Sequence, residues 1–256
     1  MNKYTLITGT TSGIGKALAK KFASEGHNLF LVARNEELLK RQANYFRNNY
    51  KIKVHTFAIN LTNKNAASEI YEAANNFGIR VDYLVNNAGF GKHGRFLNTN
   101  LRNEINMIRL HTIFITKITK LFMSSMVKNG YGRILNIAST AALTPTPNMA
   151  VYSATKAYIY SFSRAINYEL KGTGVTVTVL CPGATHTAFA RKTKMKATLL
   201  YNIFVLDANR VANIGYNAMM AGKPCVIVGV YNKMLILTSK LLPTSVSSYL
   251  ANILTK

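Results

Sequence analysis

Apolar residues gather along the chain in short runs, and between the runs they recur at helical spacing. Residues 4–8 (YTLIT) form the first run and lead into Gly9; residues 13–25 follow with Ile14, Leu18 and Phe22 on one helix face. The alternation continues to the C-terminal region. It predicts strands at 28–33, 53–59, 82–87, 133–139, 175–181 and 225–230, and helices at 35–49, 63–77, 100–128, 150–171 and 208–221. Gly172 and Gly222 close the helices before them, and Pro182-Gly183 stops the sixth strand. Short buried strands alternating with helices require a parallel sheet covered on both faces, and right-handed crossovers make it doubly wound. The expected class is therefore α/β, with about seven strands. No linker or internal repeat interrupts the pattern, so residues 1–256 read as one domain. A polar, basic loop at 184–206 and a tail at 232–256 stand apart from the alternation. The tail has an apolar side (Leu235, Leu237, Leu241, Leu242, Val246, Leu250, Ile253), three lysines (Lys233, Lys240, Lys256) and no acid.

A chain of 256 residues with 48% hydrophobic positions can bury a core without disulfides. Cys181 and Cys225 form no CxxC, which argues against a disulfide framework or a metal site and for a reducing, cytoplasmic setting. No apolar run approaches the roughly 18 residues of a spanning helix, and the first run is too short for a signal-peptide core. The charge changes the picture more. Thirty-two Lys+Arg against nine Asp+Glu give a net charge of +23, which favours an anionic partner: nucleic acid, anionic membrane or an anionic small molecule. The cations are scattered, no run resembles a nucleic-acid-binding arm, and nucleic acid is not expected. Lys, Asn, Ile and Tyr are all abundant, so codon bias in an AT-rich genome explains the charge equally well.

The first candidate for chemistry is the turn after strand one, Thr8-Gly9-Thr10-Thr11-Ser12-Gly13-Ile14-Gly15. Its glycines permit a tight turn and close backbone approach to a pyrophosphate placed at the next helix's N-terminus. A second is Tyr152 with Lys156. Reduction of a carbonyl by hydride creates an oxyanion that needs a proton. A phenol with an ordinary pKa near 10 supplies it better when an ammonium four residues on shares its helix face. Ser139, ending strand five, can polarise the carbonyl and donate to the oxyanion. Tyr158, Tyr160 and Ser153 lack a lysine four residues on and receive no role.

Taken with Asn86-Asn87-Ala88-Gly89 after strand four and Pro182-Gly183-Ala184-Thr185-His186-Thr187 after strand six, these motifs resemble the short-chain dehydrogenase/reductase family. The patterns are TGxxxGIG, NNAG, Ser, YxxxK and PGxxxT, in order over residues 3–230. The resemblance implies a Rossmann-like NAD(P)-binding oxidoreductase in which Ser139, Tyr152 and Lys156 are catalytic and Lys156 also binds the nicotinamide ribose. It further implies that Gly9, Thr11, Ser12, Gly13, Ile14, Gly15, Asn87, Ala88, Gly89, Pro182 and Gly183 line the cofactor, with Thr187 at the carboxamide. Within the family, the run RILNIAST and the C-terminal segment resemble the reductases grouped with fatty-acyl and steroid ketone reductases.

Two positions depart from the family pattern. Asn60, followed by Leu61, stands where an Asp usually holds the adenine; its carbonyl oxygen can still accept from the amino group. His111 falls at an Asn that holds a water of the proton relay, with Asn106 the alternative if the alignment shifts by a turn. His111 is therefore counted with the catalytic residues, or else as packing.

Strand two runs into Ala33-Arg34-Asn35, with no acid where NAD-selective sites bind the ribose hydroxyls, and Arg34 offers a cation to a 2′-phosphate; NADP(H) is expected over NAD(H). The 184–206 loop lies where the family has its substrate lid. It carries Arg191, Lys192, Lys194 and Lys196 before Leu199, Leu200, Tyr201, Ile203 and Phe204, which would suit an acyl chain on an anionic carrier or be a solvated loop. Ala141, Leu143 and Met149 are candidate pocket walls or core. The tail would lie on an anionic membrane, in a subunit interface or on its own domain. The family's dimers and tetramers form through the long helices, here 100–128 and 150–171. The expected function is an NADP(H)-dependent oxidoreductase interconverting a carbonyl and a secondary alcohol. The alternatives are a 3-oxoacyl thioester reductase of lipid metabolism and a non-catalytic NADP(H)-binding regulator.

Overall fold

A computed structural model describes residues 3–187, 189, 193 and 205–255. The strands are β1 (Lys3–Thr8), β2 (Asn28–Ala33), β3 (Val54–Ala58), β4 (Arg80–Asn86), β5 (Gly132–Ile137), β6 (Val175–Cys181) and β7 (Cys225–Ile227). All pair in parallel in the order β3-β2-β1-β4-β5-β6-β7. The helices are α1 (Gly13–Ser24), α2 (Glu36–Tyr50), α3 (Ala66–Asn76), α4 (Leu101–Ile108), α5 (Ile115–Lys128), α6 (Ala150–Glu169), α7 (Ala208–Met220), α8 (Val230–Leu241) and α9 (Thr244–Thr255). This is the Rossmann-like α/β architecture that the alternating pattern predicts.

The period-two pattern of the strands sorts their side chains onto two cores. Leu6, Phe30, Val32, Leu84, Val177 and Val179 pack on one face with α3, α5 and α6. Their chain neighbours Ile7, Leu29, Leu31, Val85 and Leu180 pack on the other with α1, α2 and α7. Between β4 and β5 runs a buried polar chain. Asn86 Nδ2 donates to Thr119 Oγ1 (3.1 Å) and Asn136 Oδ1 (2.8 Å), Asn136 Nδ2 donates to Ser163 Oγ (2.8 Å), and Ser163 Oγ donates to Ile159 O (2.6 Å). It bonds the two central strands to α5 and α6.

Three expectations change in detail. The single helix read at 100–128 is interrupted by a π-helical turn, Arg109–Phe114, between α4 and α5. Strand seven stops at Ile227, because Gly229 (φ 93°) turns the chain into α8. The tail is a helical hairpin, α8 and α9, and it does pack on its own domain. Thr144 and Ser239 share a hydroxyl hydrogen bond of 3.0 Å, Asn148 Nδ2 donates to Asn252 Oδ1 (3.2 Å), and the buried Asn232 abuts Gly183. The two ends of the 184–206 loop are clasped. Thr185 and Leu206 form a parallel bridge, with His186 N–H to Leu206 O and Leu206 N–H to Ala184 O both at 2.9 Å. Arg191, Lys192, Lys194, Lys196, Leu199, Leu200, Tyr201, Ile203 and Phe204, named above for the substrate lid, lie outside the described residues.

Candidate active site

The chain leaves β1 in one direction across the sheet (β1, β2, β3) and β4 in the other (β4 to β7), so a crevice opens between their carboxyl ends. There the structure places an elongated cavity of ≈ 610 Å³. Gly9, Thr11, Ser12, Gly13, Ile14, Gly15, Arg34, Asn60, Leu61, Asn87, Ala88, Gly89, Ser139, Tyr152, Lys156, Pro182, Gly183 and Thr187 all line it. His111, counted with the catalytic residues, lies behind the wall.

The glycine turn is built for close approach. Gly9 (φ 71°) and Gly13 (φ 55°) sit in the left-handed region, which glycine enters without penalty. A Cβ on Gly13 would lie 2.9 Å from Thr187 Cγ2, and one on Gly15 would collide with Gly9 O and Asn87 Nδ2. Asn87 staples the crevice: its Nδ2 donates to Thr8 O (2.9 Å) and Gly9 O (3.1 Å), and the backbone N–H groups of Asn87 and Ala88 both donate to Thr8 Oγ1 at 3.1 Å. Helix α1 starts with no side-chain cap and no acid in its first turn, leaving its positive end for an anion. A dinucleotide's pyrophosphate fits this cradle.

Arg34 and Asn35 after β2 and Asn60 after β3 are polar and exposed, while Ile59 and Leu61 beside Asn60 are buried. Asn35 caps α2 by accepting from Leu38 N–H (2.8 Å), leaving Arg34 at the cavity edge. Asn60 differs from its reading. Its Oδ1 already accepts from Thr62 N–H (3.2 Å) and Thr62 Oγ1 (3.0 Å), so the amide nitrogen is what Asn60 presents. The Asn-Leu-Thr sequence carried that signal, since Asn commonly accepts from the backbone two residues on.

Ser139, Tyr152 and Lys156 meet where β5 ends beneath α6. The Ser139 hydroxyl accepts from Ala141 N–H (3.2 Å) and donates to the Tyr152 oxygen. Burial pushes the phenol up to about 12 against the opposing effect of that hydrogen bond. Lys156 is buried, its Nζ donating to Ile137 O (2.8 Å) and lying 5.7 Å from the Tyr152 ring centre. Burial lowers it to about 8. Phe189 packs on Tyr152 with ring centres 5.6 Å apart.

His111 sits in the π-turn and is completely buried. Its Nε2 accepts from Phe90 N–H (3.3 Å), which places the ring proton on Nδ1, 2.9 Å from Thr155 Oγ1. Thr155 Oγ1 donates onward to Tyr152 O (2.8 Å). Burial, with the Lys156 ammonium adding to it, holds the imidazole well below its ordinary pKa. Asn106, the alternative, lies on α4 outside the cavity wall.

The end of the cavity under the tail mixes aliphatic side chains with hydroxyls. Ala141 and Met149 line it as read, whereas Leu143 does not. The tail supplies what sequence reading left unassigned: Leu235, Ile236, Leu242 and Leu250 roof the cavity, joined by Thr144 and Thr146 from below. Among the described residues no cluster of His, Cys, Asp and Glu could hold a metal ion.

The family model for short chain dehydrogenase matches residues 3–198. The 3-oxoacyl-[acyl-carrier-protein] reductase FabG of Aquifex aeolicus is 32% identical over 71% of this chain and 73% of its own. The very-long-chain 3-oxoacyl-CoA reductase of Bos taurus is 31% identical over 75% of this chain, and the match spans only 62% of that longer relative. A solved short-chain dehydrogenase from Sphingobium yanoikuyae, in complex with NADPH, superposes with a TM-score of 0.83 at 26% identity, covering 94% of each chain. The chain belongs to the short-chain dehydrogenase family, whose members are NAD(P)-binding oxidoreductases acting on CH–OH and C=O groups.

Proposed function

We propose that the protein is an NADP(H)-dependent carbonyl reductase acting reversibly on a secondary alcohol. The observation that carries this reading is the convergence of Ser139, Tyr152 and Lys156 in the same crevice as the glycine cradle. Bound NADPH supplies the hydride. Ser139 holds the carbonyl oxygen by donating to it, and Tyr152 gives its phenolic proton to that oxygen as charge develops there. A phenol raised to about 12 is protonated throughout the neutral range, which suits it to the acid role. Charged Lys156 favours the phenolate left behind. In alcohol oxidation the same groups act in reverse. The absence of an acid directly at the end of β2, where Arg34 and Asn35 follow Ala33 with Arg34 at the cavity edge, favours the 2′-phosphate, and the Sphingobium relative binds NADPH.

His111 acts here as a positioning residue. Both ring nitrogens are engaged, so the ring bonds the Phe90 backbone to α6, directly behind Gly89 and Lys156. The 3-oxoacyl thioester alternative draws support from the apolar roof and from two relatives named for that chemistry. The regulatory alternative rests only on His111 and Asn60, while the intact Ser139, Tyr152 and Lys156 oppose it.

The test follows NADPH absorbance over ketones, aldehydes and 3-oxoacyl thioesters, with NADH and Tyr152→Phe in parallel. Oxidation of NADPH that disappears in the Phe variant is expected. Tight NADPH binding with no turnover of any substrate class would overturn the reductase reading in favour of the regulatory one.

A further inference from the structure

The hairpin α8–α9 has two faces of opposite use. On α8 the inward positions Asn232, Ile236 and Ser239 lie against the domain and the cavity. The outward positions Val230, Met234, Leu237 and Leu241 follow the spacing i, i+4, i+7, i+11, which confines them to an arc of roughly 60° on one side of a helix. All four are exposed, Leu241 at 79%. On α9, Tyr249 is exposed as well, and it shares a shallow groove with Phe96. Phe96 belongs to a short 3₁₀ turn (Phe96–Asn98) whose next residue, Leu97, is 95% exposed. Tyr249 of α9 and the 96–97 turn, from a different part of the chain, thus add a second exposed apolar patch to the stripe on α8.

The exposed charges within the segments that carry these side chains have one sign. Exposed Lys92, Arg95 and Arg102 flank the turn, and exposed Lys233 flanks the stripe on α8. No acid occurs between Asp82 and Glu104, and none follows Asp207. Glu104 itself is buried. We propose that the outer face of the α8–α9 hairpin, together with the 96–97 turn, docks on the surface of an anionic lipid bilayer. Apolar side chains enter the headgroup–acyl boundary while the cations beside them meet lipid phosphates. An isologous contact with a second copy would press this all-cationic rim against itself, so the charge selects the bilayer over self-association. Among the described residues no helix is long and apolar enough to cross a membrane, so the contact is peripheral. The same hairpin roofs the cavity, which places the roof next to the lipid.

The test is co-sedimentation of the full chain, with NADPH present, on vesicles of phosphatidylcholine containing about one third phosphatidylglycerol. The comparison is with pure phosphatidylcholine vesicles and with Leu97→Ser/Leu241→Ser, whose side chains lie outside the cavity. Binding to the anionic vesicles, weakened by salt and reduced about tenfold or more in the double variant, is expected. The thermal melt and NADPH affinity of that variant should match wild type. Absence of sedimentation at low salt would overturn the proposal, as would equal sedimentation of the double variant. A wild-type dimer converted to monomer by the same substitutions, without vesicle binding, would reassign the face to a contact between copies. None of these readouts needs turnover, so they stand apart from the test of the reductase reading.

Discussion

Raising the pH should switch off reduction through Lys156, and the structure supplies both the direction and the size. Burial disfavours the ammonium and brings Lys156 to about 8, so its proton leaves as pH rises through that value. For a single group titrating at about 8, the charged fraction is ~90% at pH 7 and ~10% at pH 9. If proton delivery by Tyr152 depends on charged Lys156, kcat/KM for NADPH falls about tenfold between these pH values, since this ratio reports the free enzyme. Neighbouring groups do not obscure the profile. Tyr152, at about 12, stays protonated across the window, and His111, held low, stays neutral. Initial rates of NADPH oxidation in constant-ionic-strength buffers from pH 6 to 10, with a neutral ketone, give the curve. Lys156→Arg carries a charge that does not titrate, so its activity should be lower but its profile flat over this range. A wild-type profile level to pH 10, or an alkaline fall that persists unchanged in Lys156→Arg, would refute the assignment.

Three further outcomes follow from geometry. Gly15→Ala places a methyl against Gly9 O and Asn87 Nδ2, so NADPH affinity should fall tenfold or more and stability by about 1–3 kcal/mol; fluorescence titration and urea unfolding would show it, and wild-type affinity would sink it. Asn136→Ala removes two buried hydrogen bonds while Asn86 keeps Thr119 and Ser163 keeps Ile159 O, so urea unfolding should show a loss of about 2–3 kcal/mol, and less than about 0.5 would contradict the network's role. Arg34→Glu should weaken NADPH about ten- to a hundredfold and leave NADH little changed, because only the former carries a phosphate at that edge; parallel losses for both cofactors would remove Arg34 from the recognition of the 2′-phosphate.

The parts of this molecule most legible in the sequence are those where one local rule decides. Strand periodicity sorted Leu6 from Ile7 and Val179 from Leu180 because a strand's faces alternate strictly. The glycines at 9, 13 and 15 marked the cradle because no other residue fits there. Less was visible where tertiary contact decides. The π-turn at Arg109–Phe114 leaves no mark on the helical spacing of 100–128, so the direction in which His111 points, and its two partners, could not be read. The tail's apolar content was plain, but both sides of α8 carry apolar residues; which of them roofs the cavity depends on Asn232 meeting Gly183 and Ser239 meeting Thr144. The occupied oxygen of Asn60 lay within reach of sequence reasoning, two residues from the threonine that fills it.

The bridge between Thr185 and Leu206 has a consequence for how this chain can diversify. It closes the ends of the intervening segment with backbone hydrogen bonds next to β6 and just ahead of α7. The fold therefore meets that segment at a fixed doorway, whatever its length or composition. Doubling a loop between fixed ends costs only about 0.6 kcal/mol of closure entropy. The register between β6 and α7 is thereby held by the clasp itself, so changes of length between its two ends should leave the stability of the sheet little altered.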